Sequence, residues 1–244
     1  MTCVGLIGGT GLDLWGGEGK PVRQATPWGA PSDALREFEL HGHRMLFLAR
    51  HAADHSIPPH RVNYRANLQA LAEQGAEAVL AVNAVGGITQ GFAPGTLAVA
   101  DQLIDYTWGR AHTFSDGNGQ GVEHAEFGQP YDERQRELLL SAASTAGLAV
   151  APGGCVGVTQ GPRLETEAEI RRLERDGCEM VGMTSMPEAA LARELALPCA
   201  SLCVVANWAA GKSPLPISMA DIEATLAEAM LRVRALIQAY FENL

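Results

Sequence analysis

The chain has 244 residues, 47% of them hydrophobic, which is enough for a sizeable buried core and excludes disorder as its main state. Asp and Glu number 28 against 18 Lys and Arg, a formal charge of −10, and that balance argues against a surface tracking nucleic acid or anionic lipid by its own charge. Five scattered cysteines without a CxxC pair or a secretory leader, and apolar runs far short of the ~20 residues of a membrane helix, predict a soluble, reduced, cytoplasmic protein.

Short β-branched runs alternate with helical patterns along the chain, which predicts an α/β fold with a mostly parallel or mixed central sheet flanked by helices, a single domain over residues 1–244. Residues 3–7 read as a first strand running into Gly8-Gly9-Thr10-Gly11, and 44–49 as a strand ending at Arg50-His51. Residues 64–74 read as a helix and 78–82 as a buried strand that delivers Asn83-Ala84-Val85-Gly86-Gly87. The stretch 109–128 is rich in Gly, Asp, Asn and His and lacks periodicity, so it reads as a long functional loop. Residues 165–175 form a helix with Glu167 four positions before Arg171, followed by a strand over 180–183. Residues 200–205 form an apolar strand ahead of Asn207, and 220–241 an amphipathic helix with Ile222, Leu226, Met230, Val233, Ile237 and Phe241 on one face.

Chemistry-bearing residues collect at strand ends, where ligands gather in open α/β sheets. Gly8-Gly9-Thr10-Gly11 offers flexible backbone and a hydroxyl to an anion, or is an ordinary turn; Arg50 supplies a planar fork suited to phosphate, or caps a helix. His51, His55 and His60 do not make a metal site, because Ala52 stands where the metalloprotease pattern needs Glu and Pro58-Pro59 break any helix carrying all three. Glu165 reads either as a first-turn acid facing a helix dipole or as a carboxylate at a site mouth. Thr184 or Ser185 is placed to cap a helix, and Asn207 is a site amide or a buried structural one. Five polar strand ends in one chain favour a shared site over five unrelated turns.

Ile7-Gly8-Gly9-Thr10-Gly11-Leu12, Ala49-Arg50-His51, Val62-Asn63-Tyr64-Arg65-Ala66-Asn67, Gly161-Pro162-Arg163-Leu164-Glu165-Thr166 and Gly182-Met183-Thr184-Ser185-Met186-Pro187-Glu188 together resemble the trimeric purine nucleoside phosphorylase and methylthioadenosine phosphorylase family, over nearly the whole chain. The resemblance implies reversible phosphorolysis of a nucleoside, with inorganic phosphate as co-substrate, no metal, no organic cofactor, no nucleic-acid or membrane partner, and a homotrimer. It implies that Thr10, Arg50, His51, the Ala84 backbone and Thr184 hold phosphate with Asn83 beside them, and that Asn207, His51 and Arg50 carry the catalysis. Met183 is expected beneath the ribose, and Leu164, Glu165, Asn207 and Ala209 at the purine. The adenine-directed members place a small hydroxyl residue where Glu165 stands and aspartates around Asn207 and Ala209, so this chain departs toward a 6-oxopurine. Met219 and Ile222 stand where 6-oxopurine phosphorylases place a His for the 5′-hydroxyl, and His124 matches a loop residue lent to the neighbouring subunit. Together these imply S-methyl-5′-thioinosine as substrate, with methylthioadenosine and inosine or guanosine as alternatives. A catalytically silent purine-binding protein is the rival from another class.

Overall fold

The computed structural model describes residues 1–9, 19–117, 122 and 124–244. Its strands are β1 (Cys3–Gly8), β2 (Lys20–Val22), β3 (Leu35–Leu40), β4 (His43–Ala49), β5 (Ala78–Gly87), β6 (Leu97–Val99), β7 (Gln102–Asp105), β8 (Val150–Ala151), β9 (Cys155–Val158), β10 (Met180–Gly182) and β11 (Cys199–Trp208). Its helices are α1 (Tyr64–Glu73), α2 (Glu133–Thr145), α3 (Glu167–Arg175), α4 (Ser185–Glu194) and α5 (Met219–Glu242). All the strands join one mixed sheet, the arrangement expected from the alternating pattern.

The apolar strands are buried on both faces, so successive side chains serve different layers. Val4 and Leu6 of β1, Met45 and Phe47 of β4, and Leu80 and Val82 of β5 pack with Leu139 of α2 and Leu226, Met230 and Val233 of α5. Ile7, Leu46, Leu48 and Val79 point the other way, onto Leu68 and Leu71 of α1 and Leu191 of α4. Each such aliphatic side chain removed from water contributes about 1.5–3 kcal/mol. A strand that alternated apolar and polar residues could not sustain this sandwich.

The sheet forks at β5. Its first half pairs in parallel with β1, from Val4 opposite Ala78 to Ile7 opposite Ala81, and the pairing then stops. On its far end Gly86 and Gly87 pair antiparallel with Val181 and Met180 of β10. β11 runs parallel to β5 along the other edge for the full length, with a register shift between Val205 and Asn207. The fork therefore leaves residues 82–85 without a strand on one side, and that gap opens at the carboxyl ends of β1 and β4.

Several boundaries differ from the sequence reading. β5 does not end at Val82 but continues through Asn83 to Gly87, because Asn83 finds buried partners and β11 accompanies the strand throughout. β11 likewise includes Asn207, which the bulge re-aims. α3 starts at Glu167, capped by Thr166 in a reciprocal capping box with Glu169, so Glu165 lies outside the helix and is not a first-turn acid. Glu167 and Arg171 do approach, at 3.7 Å and both exposed, a pair worth a few tenths of a kcal/mol, roughly 0.2–0.5. Thr184 is the N-cap residue of α4, yet its side chain makes no capping bond. The described residues of 109–128 contain no helix or strand. Among the described residues no helix is long and apolar enough to cross a membrane.

Gly87 sits where the fork closes, and a Cβ there would lie 1.9 Å from the Phe92 carbonyl oxygen and 3.1 Å from Val205 Cγ1. Gly87→Ala should destabilise the protein by about 2 kcal/mol or more through overpacking against backbone, read as a lowered urea midpoint. A midpoint equal to that of the unaltered protein would contradict this tight closure.

Candidate active site

A cavity of about 460 Å³ fills the fork, a volume typical of small-ligand sites. Gly9 follows β1, Arg50 and His51 follow β4, Ala84, Val85 and Gly86 belong to β5, Thr184 follows β10, and Ala206, Asn207 and Ala209 come from β11 and its end; all line this space. Val82 turns its carbonyl toward the β1 side, where Arg50 Nη1 donates to it at 3.1 Å. Strand periodicity then points the N–H of Ala84 to the same side, into the gap. Thr10 lies outside the described residues.

Arg50 is fully buried. Its Nε and Nη2 donate to the two oxygens of Glu188 at 2.7 Å each, and Nη1 reaches the Val82 carbonyl. Burial opposes the guanidinium charge, and the Glu188 carboxylate overcomes it, so the Arg50 pKa is raised. The expected free fork is thus mostly committed within the protein, and what remains for a ligand is the outstanding hydrogens on Nη1 and Nη2. Arg50 is not a helix cap. A Cβ on Gly9 would come within 2.9 Å of Arg50 Nη1, so this glycine lets backbone and guanidinium meet at the cavity floor.

His51 is buried beside it, with Nδ1 2.7 Å from the Ile57 carbonyl. A carbonyl only accepts, so Nδ1 carries the proton. Burial, and then the charge of Arg50, push the imidazole down to a pKa of about 4 against the Ile57 bond. Near neutral pH the ring is therefore uncharged and Nε2, which bonds no described residue, is an acceptor. Thr184 donates its hydroxyl to Asn83 Oδ1 at 2.9 Å, and Asn83 Nδ2 donates to Ser201 Oγ at 2.8 Å. Asn83, expected beside the phosphate-holding residues, is buried behind Thr184 and does not line the cavity, and both ends of its amide are occupied by protein partners.

On another side of the same cavity the structure brings together Leu164, Glu165, Asn207 and Ala209. Glu165 Oε1 accepts from the Thr159 hydroxyl at 2.6 Å, the residue's own backbone N–H also favours the carboxylate, and burial, the largest influence, raises the carboxyl pKa. Asn207 Nδ2 donates to the Trp208 carbonyl at 2.7 Å. Met183 lines the same space; Gly161, at φ +60, makes room for it, since a Cβ there would fall 2.5 Å from Met183 Sδ. Ile217, Met219 and Ile222 form an apolar wall at the start of α5, with Met219 itself 62% exposed. His124 is exposed and lies outside this cavity. Among the described residues no three His, Cys, Asp or Glu side chains converge as a metal ion would need, and His51 instead stacks on His55 at 4.8 Å.

Sequence reasoning missed Glu188, Thr159 and Arg110. Arg110 is buried and donates to the carbonyls of Met183 (2.8 Å), Met186 (2.6 Å), Thr159 (3.2 Å) and Gln160 (2.8 Å), with its guanidinium 5.6 Å from the Tyr64 ring centroid. It pins the segment bearing Met183 and Thr184 to the segment leading to Glu165. A lone Arg inside an irregular Gly-rich stretch gave no pattern; a capping box at Thr166-x-x-Glu169 was the one readable sign that Glu165 precedes its helix.

The description "Phosphorylase superfamily" matches residues 4–242. A probable S-methyl-5′-thioinosine phosphorylase of Xanthomonas campestris pv. campestris is 57% identical over 198 residues, 81% of this chain and 79% of that one. A probable S-methyl-5′-thioinosine phosphorylase of Pseudomonas syringae pv. tomato is 52% identical over 239 residues, 96% of each chain. The solved methylthioadenosine phosphorylase of Schistosoma mansoni in complex with adenine is similar in fold with a TM-score of 0.94 at 31% identity, covering 99% of this chain and 91% of that one.

Removing one partner of a buried ion pair strands the other. Glu188→Leu should therefore cost about 3–5 kcal/mol, while Arg50→Met combined with Glu188→Leu should recover most of the loss. Urea unfolding of the two proteins checks this; equal stability of single and double variants would refute the pairing. His51 gives a pH dependence with a fixed sign. Its folded pKa of about 4 lies below the ordinary 6.5, so the unfolded chain binds the extra proton between those values. This contribution, about 3 kcal/mol, is complete above pH 6.5 and is lost as the pH falls toward 4. His51→Gln should flatten that acid slope of stability; identical slopes in both proteins would overturn the buried neutral imidazole.

Proposed function

The chain belongs to the phosphorylase superfamily, and on that premise we propose that it cleaves S-methyl-5′-thioinosine with inorganic phosphate, releasing hypoxanthine and 5-methylthioribose 1-phosphate. A phosphate oxygen forms the new bond to the anomeric carbon as the bond to N9 breaks, the electron pair leaves with the base, and the purine anion takes up, through solvent, the proton that monohydrogen phosphate gives up, so that neutral hypoxanthine is released. Positive charge develops on the sugar and negative charge on the purine. Preorganised groups lower the barrier by meeting those charges where they appear.

At the phosphate end the Ala84 N–H, the outstanding hydrogens of Arg50 and a rotated Thr184 hydroxyl supply donors, together with Thr10. The neutral His51 supplies an acceptor at Nε2, which suits the P–OH of monohydrogen phosphate. Met183 lies under the ribose. Asn207 donates to O6 and pairs with N7, hydrogen bonds that strengthen as charge accumulates on the leaving base. A homotrimer in the cytoplasm, with His124 of each subunit completing a neighbour's site at the 5′ end, fits the exposed position of that side chain and the free cysteines.

The observation that carries the substrate assignment is the Glu165 carboxyl in the cavity wall. An ionised carboxylate accepts from the N1–H that hypoxanthine carries and faces a lone pair on adenine. Ile217, Met219 and Ile222 favour a methylthio group, at roughly 0.8 kcal/mol per methyl-sized group buried, and leave a 5′-hydroxyl without a partner at roughly 1–3 kcal/mol. The printed names of the Xanthomonas and Pseudomonas relatives support the same reading.

With saturating phosphate, kcat/KM should rank methylthioinosine above inosine and guanosine and well above methylthioadenosine. Sites that leave their own polar groups unpaired discriminate by up to about 10⁴–10⁵. Base release should vanish when phosphate is omitted. Equal turnover of methylthioadenosine and methylthioinosine would reassign the base pocket, and phosphate-independent release would reject phosphorolysis.

A further inference from the structure

Glu165 stands in the wall between two cavities. One is the candidate active site; the other, also about 460 Å³, is lined by Tyr106, Trp108, Thr159 and Arg172 among others. Thr159 lines only the second, so it approaches Glu165 from behind and does not reach the ligand space. Its backbone is fixed at both ends, with its N–H donating to the Gly182 carbonyl at 2.8 Å and its own carbonyl accepting from Arg110. The hydroxyl has one proton and two acceptors within reach. Glu165 Oε1 lies at 2.6 Å and Gly182 O at 3.4 Å, so the carboxylate oxygen is the principal acceptor.

We infer that Thr159, without touching the nucleoside, sets the base preference by donating to Glu165 and holding its carboxyl ionised, so that Oε2 is left as an acceptor for N1–H. The inference rests on the proposed reading of Glu165 as the residue that senses N1. Burial by itself drives this carboxyl toward its neutral form. The other charges facing it are Glu169, which pushes the same way, and Arg163, which is held by Glu169 in a bidentate pair. Arg172 and Tyr106 flank the second cavity, and on the active-site side Arg50 is already neutralised by Glu188 and His51 is uncharged. Thr159 is thus the side-chain donor opposing burial, beside the backbone N–H of Glu165 itself. Were it absent, burial would shift Glu165 further toward its neutral form, in which it donates and suits the lone pair of adenine N1. Thr159 is a positioning residue in this scheme, and its loss alters which purine is accepted before it alters the handling of phosphate.

The test compares kcat/KM for methylthioinosine and methylthioadenosine across pH 5–9 in the unaltered protein and in Thr159→Val, Thr159→Ser and Glu165→Gln. Activity toward methylthioinosine should fall on the acid side as Glu165 is protonated. Thr159→Val should move that acid limb upward by about one to two pH units and lower the methylthioinosine preference about tenfold or more near neutral pH, with KM for phosphate unchanged. Thr159→Ser, which keeps the hydroxyl, should restore both. If Thr159→Val keeps the original limb and preference while Glu165→Gln loses the preference, Glu165 reads the base and Thr159 has no part in it. If Glu165→Gln itself keeps the preference, the underlying reading fails and this inference with it. Thr159→Ala serves the same comparison where the valine variant does not fold. Infrared titration of the Glu165 carboxyl, identified by its absence in Glu165→Gln, adds a check on the unaltered protein: a neutral carboxyl at pH 7 overturns the proposal.

Discussion

Arg50 and Glu188 are both about 99% shielded, one at the end of β4 and the other in α4, and their bidentate pair passes through the gap where the sheet forks. The same guanidinium satisfies the Val82 carbonyl, which no strand partners on that side once β1 has left at Ala81. One ionic contact therefore ties a strand end, a helix and an otherwise orphaned backbone acceptor. A buried pair gains little over well-packed apolar side chains in net stability, since desolvation cancels most of the attraction. What it does here is fix position: Arg50 cannot leave the floor of the cavity without stranding Glu188, and Gly9 cannot carry a side chain without displacing Arg50.

The polar groups around that floor have a direction. Ile57 fixes the proton of His51 on Nδ1, and Asn83 takes the proton of Thr184, so two of the groups nearest the anion space present lone pairs in the unliganded protein. Net charge is also lower than the residue list suggests, because Arg50 is compensated and His51 is neutral. Such a site suits an anion that still carries a hydrogen of its own better than a fully deprotonated one. At the opposite side the cavity presents the Glu165 carboxyl and the Asn207 amide, and under the proposed function selectivity there comes from matching donors to acceptors.

The sheet was legible because β1, β4, β5 and β11 are apolar on both faces, a signal that survives without knowledge of neighbours. β2, β6, β7, β8 and β9 run for two to four residues, too few for periodicity to declare itself, and the equally short β10 was readable only from its place after the α3 pattern. Arg50, His51, Glu165 and Asn207 were readable as site candidates since each stands at a strand end or a turn, and the cavity does gather them. Asn83 was read as a strand-end amide ahead of Gly86 and Gly87, whereas the strand continues past it and Ser201 and Thr184 satisfy it inside the sheet. Glu188 and Arg110 gave no sign, because their meaning lies in partners 138 and between 46 and 76 positions away. Long-range pairing of single residues is what a linear pattern does not encode.

The fork in the sheet has an evolutionary side. On the proposed assignment it hands the anion a main-chain amide at Ala84 and a glycine-lined floor, features that substitution hardly alters, because every residue except proline brings the same N–H. In the same proposal the purine is read by Glu165 and Asn207, two side chains that a single codon change each would replace. Descent can thus exchange the leaving base, residue by residue, while the nucleophile stays inherited with the fold.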